Sequence, residues 1–192
     1  MSLTSTDSAR AANAATATMV GRCPDSLARG VRTAVRLGLD WQATAEHVVS
    51  TLRGNLPGPT ALLPKHLRRG DPACYQSHLL YAEPDGSFSI AAMVWLPGQQ
   101  TVIHDHVAWC VTAVLQGHEY EEIFALAHGG RSLELVGRNI NQAGTVSGFA
   151  PPGDIHRVRN TGNTVAVSMH VYGADISRLG TSIRREYTLP IR

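Results

Sequence analysis

The sequence predicts a mainly β protein, a barrel or sandwich of short strands behind a helical N-terminal segment. Two patterns carry that prediction. From residue 74 onward, apolar or alternating runs of strand length are separated by the turn signals PDGS (84–87), PGQ (97–99), HGG (128–130) and PPGD (151–154). Between residues 24 and 53, Leu27, Val31, Ala34, Val35 and Leu37 instead recur near the helical period of about 3.6. A length of 192 residues suits one domain with an arm, long enough to bury a sizeable core.

Residues 1–22, rich in Ala, Thr and Ser, are expected to form a flexible arm. Residues 23–192 are expected to form a single domain, with helices over about 24–70 and the barrel over about 74–175. Pro24-Asp25-Ser26 is a helix start, Gly38 or Gly54 breaks or ends helices, and GNLPGP (54–59) is a turn. Strands are expected near 75–82, 88–96, 102–116, 119–126, 132–139, 145–149, 155–160 and 164–173.

Composition narrows the partners. A net charge of +2, with Lys65 the sole lysine and no basic run interleaved with aromatics, gives no expectation of nucleic acid or an anionic membrane. No segment has the length and apolarity of a membrane span, and residues 1–22 lack the pattern of a secretory signal. Cys23, Cys74 and Cys110 are odd in number and lack CxxC spacing, which argues against a disulfide framework and for a reducing cytoplasm. Oligomeric state is left open.

The sharpest local feature is His104-Asp105-His106. Side chains two apart on a strand share a face, so two imidazoles here can grip one ion. HxH is weak alone in a chain with nine histidines, but its surroundings are patterned. Gly98 precedes it, Cys110 and Gly117 follow it, and Pro151-Pro152-Gly153-Asp154-Ile155-His156 runs on to Asn160. These segments resemble the paired motifs of the cupin superfamily, G-x5-HxH-x3–4-E-x6-G and PxG-x2-H-x3-N. That resemblance implies a double-stranded β-helix (jelly-roll) barrel, in keeping with the strand pattern. It also implies a metal held by His104, His106 and His156. The position of the usual motif glutamate is Cys110, leaving three neutral imidazoles and open coordination positions. Such a set suits Fe, Zn, Cu or Ni.

A second alternating triplet, Ser168-x-His170-x-Tyr172, can pass a proton or fix a phenol. By pattern alone it equally describes a solvated strand face. Taken with the first two motifs, the segments PGQQTVIHDHVAWCVTAVLQGHEYEEIF, PPGDIHRVRN and SMHVYGADI resemble the thiol dioxygenases, the family of cysteine dioxygenase and 3-mercaptopropionate dioxygenase. The resemblance implies Fe(II) on the three histidines, Ser168, His170 and Tyr172 as a catalytic relay, and a small thiol plus O₂ converted to a sulfinate. Two departures follow from it. The cysteine that mammalian members crosslink to the relay tyrosine falls at Val111, one residue past Cys110, so an unmodified Cys110 in the barrel is expected. The arginine that clamps the cysteine carboxylate falls at His78. Trp109 and the YG after the relay are closer to the mercaptopropionate type, in which a late arginine serves the carboxylate. Arg178, Arg184 and Arg185 are then the candidates. His78, Cys110, Arg184 and Arg185 are accordingly expected to meet substrate, with Gln76 and Tyr81 near them.

His118, Glu121 and Glu122 are expected on a charged outer strand face. Two other functions compete with the dioxygenase: a cupin oxygenase acting on a non-thiol substrate, and a non-catalytic metal-binding cupin.

Overall fold

The computed structural model describes residues 21–127 and 129–192. The arm expected at 1–22 lies outside the described residues except for its last two. The N-terminal helical segment is α1 (Asp25–Val35), α2 (Trp41–Arg53) and the single-turn α3 (Pro59–Leu62), followed by a 3₁₀ turn at Leu67–Arg69. Helix α1 buries Leu27, Ala28, Val31 and Ala34 on one face and places Asp25 in its first turn, where a carboxylate complements the helix dipole. Gly38, at φ 66°, breaks the helical run after α1, as one of the two glycines expected to do so. Asp40 then caps α2 by accepting from the Ala43 N–H at 2.8 Å. No helix among the described residues is long and apolar enough to cross a membrane.

Ten strands follow among the described residues: β1 (Gln76–Ala82), β2 (Ser89–Trp95), β3 (His104–His106), β4 (Cys110–Gln116), β5 (His118–Leu126), β6 (Leu133–Gln142), β7 (Val146–Phe149), β8 (His156–Arg159), β9 (Ala166–Tyr172) and β10 (Ile183–Glu186). A short helix, α4 (Ile176–Leu179), precedes β10. The strands form two five-stranded antiparallel sheets, ordered β1-β2-β9-β4-β7 and β10-β3-β8-β5-β6, which is the expected jelly-roll barrel. The run expected at 102–116 is two strands, interrupted at Val107–Trp109 and assigned to opposite sheets. Strand β10 was not expected.

Both faces of β2 are buried, which explains its nearly unbroken apolar sequence, and β9 is likewise buried on both faces while carrying Ser168, His170 and Tyr172 on one of them. On the outer face, Ile90, Ala92, Val94, Val167, Met169 and Val171 pack with Leu27, Val31, Val48 and Leu52 of the helices. Burying a Val, Ile or Leu there contributes about 1.5–3 kcal/mol per side chain. Helix α2 comes so close that a Cβ on Gly148 would lie 2.9 Å from Val49 Cγ2. On the inner face, Met93 and Trp95 join Tyr75, Val158 and Ala166. The helical layer thus supports the first sheet from outside and leaves the barrel interior to the histidines. Of the motif glycines, Gly117 takes φ 72° at the β4–β5 turn, where a Cβ would meet Ala166 Cα at 3.1 Å.

Candidate metal centre and its relay

Strand β3 carries His104 and His106 on one face, and its neighbour β8 places His156 directly opposite His104. All three imidazoles are buried, and their candidate ligand atoms lie within 4.8 Å of one another. In each ring Nδ1 faces an oxygen. His104 Nδ1 is 2.9 Å from the Val102 carbonyl, His106 Nδ1 is 3.1 Å from Asp154 Oδ2, and His156 Nδ1 is 2.8 Å from Glu121 Oε1. A proton on each Nδ1 satisfies those oxygens and leaves each Nε2 lone pair free. Carbonyl and carboxylate partners behind imidazoles are how metal-binding histidines are oriented. Asp154 also accepts the His106 backbone N–H at 2.8 Å, tying the second motif to the first.

The electrostatics agree. Burial, followed by repulsion from the neighbouring imidazoles, holds His104 and His106 well below the usual histidine range. They are therefore neutral and able to ligate. Glu121 is pushed up by burial, but hydrogen bonds from His156, Asn139 and Asn141 outweigh this and bring its carboxyl down to about 2. Three imidazoles with two carboxylates behind them fit a divalent metal ion, and no other group of His, Cys, Asp and Glu among the described residues does so.

Strand β9 aims Ser168, His170 and Tyr172 into the same space. Ser168 Oγ lies 3.0 Å from His170 Nε2, and Tyr172 Oη lies 3.2 Å from His170 Nδ1. The triplet is buried, so the solvated-face alternative fails. Trp95 Nε1–H donates to Ser168 at 3.1 Å, fixing the far end. Burial lowers His170 to about 3 and, with Cys110 adding to it, raises the Tyr172 phenol well above its ordinary value. The relay thus consists of a neutral imidazole and a neutral phenol. The Tyr172 and His106 ring centres are 6.3 Å apart. A small cavity, open to solvent on one side, is lined by both rings. Beyond the histidines, Met93, Val158 and Ile183 give it an apolar side, and Thr101, Ser182 and Tyr172 supply hydroxyls.

Several expected site residues lie elsewhere. His78 pairs with Ala92, whose side chain belongs to the helix-facing core, so His78 points away from the barrel interior. Gln76 and Tyr81 go the same way, Gln76 to Cys74 and Tyr81 to Arg32 and Glu83. Arg184 donates to Asp105 at 2.6 Å, and Arg185 lies 5.6 Å over the Tyr187 ring. Asp105, between two inward histidines, must face outward, and these arginines follow it. Arg178 pairs with Asp175 and is mostly exposed. No Arg or Lys is among the described residues lining the cavity. Cys110 is inside the barrel, in register opposite Tyr172 and clustered with Ala91, but it does not line the cavity. Burial pushes its thiol well above the usual range, so it is protonated. Glu122 pairs with Arg157 and His118 with Thr161, as an outer face requires. Glu121 does not: strand parity places it inside against His156, together with Glu119, which sequence reasoning did not single out. The alternation Glu119-x-Glu121 was the available signal.

Residues 68–181 match the family model described as cysteine dioxygenase type I. Among solved structures, similarity extends to a protein from Thermus thermophilus, at 21% identity over 57% of this chain and 92% of that one, with a TM-score of 0.43. A cupin 2 conserved barrel domain protein from Rhodopseudomonas palustris matches at 16% identity over 60% and 66%, also at 0.43. A recombinant oxalate oxidase in complex with glycolate matches at 19% identity and a TM-score of 0.43 over 55% of this chain, which spans 53% of the oxidase.

Proposed function

Because the chain belongs to the cysteine dioxygenase type I family, we propose that it is an iron-dependent thiol dioxygenase, converting a small thiol of the 3-mercaptopropionate or cysteine kind plus O₂ to the sulfinate. The observation that carries the reading is the pairing of two arrays across one cavity, with three imidazoles whose Nδ1 atoms face oxygens on one wall and the buried Tyr172-His170-Ser168 relay on the other. A metal store needs the first array and not the second.

In this reading His104, His106 and His156 hold Fe(II), which supplies redox chemistry with O₂ and a charge that lowers the pKa of a thiol. With three uncharged protein donors, an anionic thiolate is the natural complement to that charge. Tyr172 directs its hydroxyl at the reacting atoms, and His170 holds the phenol at 3.2 Å. Met93, Val158 and Ile183 shelter the sulfur side from water. A substrate carboxylate would meet the Thr101 and Ser182 hydroxyls rather than a cation. Specificity is therefore read best with a panel that varies the headgroup: 3-mercaptopropionate, cysteine and cysteamine.

The test is anaerobic reconstitution with Fe(II), followed by O₂ uptake against that panel, with sulfinate measured by mass spectrometry. Uptake matched by sulfinate and lost in His104→Ala establishes the reaction. Full iron occupancy with no uptake from any thiol overturns it.

A further inference from the structure

The two halves of the site lie on different sheets. His104 and His106 are on β3, the Ser168-His170-Tyr172 relay is on β9, and these strands are not neighbours in either sheet. A short crossover joins them: Val107–Trp109 leaves β3 at His106 and enters the other sheet as β4. At its start, the Val107 N–H donates to the carbonyl of Ser182, which lines the cavity, at 3.0 Å. At its end, the Trp109 carbonyl accepts the Gly173 N–H at 2.9 Å, and Cys110 then faces Tyr172 in register. Three residues and one hydrogen bond thus connect His106 to the residue that follows the relay phenol.

The Trp109 side chain tightens this link. Val167, Met169 and Val171 of β9 belong to the cluster packed against the helices, and Gly173 follows them in phase. The indole fills the place a side chain at 173 would take. A Cβ there would overlap Trp109 at Nε1, Cε2 and Cδ1, the last at 2.5 Å, where carbon atoms need about 3.5–4 Å. Trp109 is 3% exposed and part of the same helix-facing cluster, so close packing holds the ring from its other side. The main chain just past Tyr172 is therefore seated against a buried indole that only glycine lets it reach.

We propose that Trp109 is a positioning residue that, seated on Gly173, sets how far the Tyr172 phenol stands from the histidine face. The inference rests on the proposed function only for its effect on turnover. The Tyr172 and His106 ring centres are 6.3 Å apart, and misplacing a reacting group by about 1 Å costs on the order of 100-fold in rate.

The test compares Gly173→Ala, Trp109→Leu and the double variant with the parent chain, by crystallography without metal. In Gly173→Ala the added methyl should shift Tyr172 relative to His106 by about 1 Å, the shortfall between 2.5 Å and a van der Waals contact. Leucine ends short of the overlapped Nε1 and Cε2, so the double variant should return the phenol to its parent place. An unchanged ring separation in Gly173→Ala, with the indole displaced instead, overturns the proposal. Should Gly173→Ala not fold, Trp109→Leu alone decides: Tyr172 should lose its single fixed place while the histidines keep theirs, and a phenol as well ordered and as placed in the parent overturns the proposal. In the iron-loaded enzyme, Gly173→Ala should lower kcat about 100-fold, leave iron content and KM for the thiol unchanged, and be rescued by adding Trp109→Leu. A merely structural defect predicts the reverse, since removing a buried indole can only destabilise further, so no rescue also overturns the proposal. The crystallographic result needs neither iron nor thiol, so failure of this inference and failure of the dioxygenase reading are told apart.

Discussion

Glu121→Gln isolates what holds His156 in place. The carboxylate accepts from His156 Nδ1 at 2.8 Å through Oε1, and from Asn139 and Asn141 at 3.1 and 3.3 Å through Oε2. A glutamine of the same shape has one oxygen and one amide nitrogen. If its oxygen faces His156, its NH₂ meets the donors of both asparagines. If it flips, a donor faces the His156 N–H. Either choice sets buried donors against each other and replaces a charge-assisted bond with a neutral one. Losing such a partner behind a ligating histidine costs about 10- to 100-fold in metal affinity, or about 1.4–2.7 kcal/mol. The assay is anaerobic competition for Fe(II), or for Co(II) as a redox-stable probe, against a chromophoric chelator at fixed pH. Adding Asn139→Asp to the variant returns an acceptor to the amide and should recover part of the loss. Affinity equal to the parent protein in a folded Glu121→Gln variant would refute the argument that this hydrogen bond orients the ligand.

His104→Ala should abolish stoichiometric metal binding, measured by elemental analysis after dialysis, while thermal unfolding shows a retained barrel. Arg184→Ala removes one partner of the buried Asp105 and leaves the Tyr187 hydroxyl on it, and KM for carboxylate-bearing thiols should not move; a large rise in KM would return Arg184 to the substrate site. Hydrogen bonding from Arg32 lowers the Glu83 pKa, so Glu83 contributes stability above its unfolded pKa and loses it as pH falls through the lower folded value. Glu83→Gln should therefore flatten the acid limb of a plot of denaturation midpoint against pH, with no effect on metal content.

Much of this architecture was legible because turn chemistry and period are local. The Gly38 break and the strand runs around residues 75–96 and 164–173 needed no tertiary information. The three histidines were legible through spacing, since two lie in phase on β3 and the third sits behind a patterned PPGD turn. The misses are tertiary. IRRE carries no apolar alternation and holds its place only through pairing with β3 and the bonds of Arg184 and Tyr187 to Asp105. His78 lies on the expected strand, but the face it takes is set by pairing with Ala92. Glu119 and Glu121 contradict the ordinary preference of carboxylates for solvent, and Glu121 becomes readable only once the barrel interior is known to hold His156, Asn139 and Asn141, which answer it.

Strand β10 lies at the margin of its sheet, with β3 as its sole neighbour, and adjoins the cavity through Ser182 and Ile183 without supplying a ligand atom. The other walls come largely from β2, β8 and β9, each flanked by strands on both sides. Substitutions at 182 and 183 can therefore reshape the chamber from its least constrained side, leaving the histidines and their carboxylate supports untouched. The variable wall and the three imidazoles thus come from different strands, so a mutant library confined to two codons can vary the chamber while keeping His104, His106 and His156 constant.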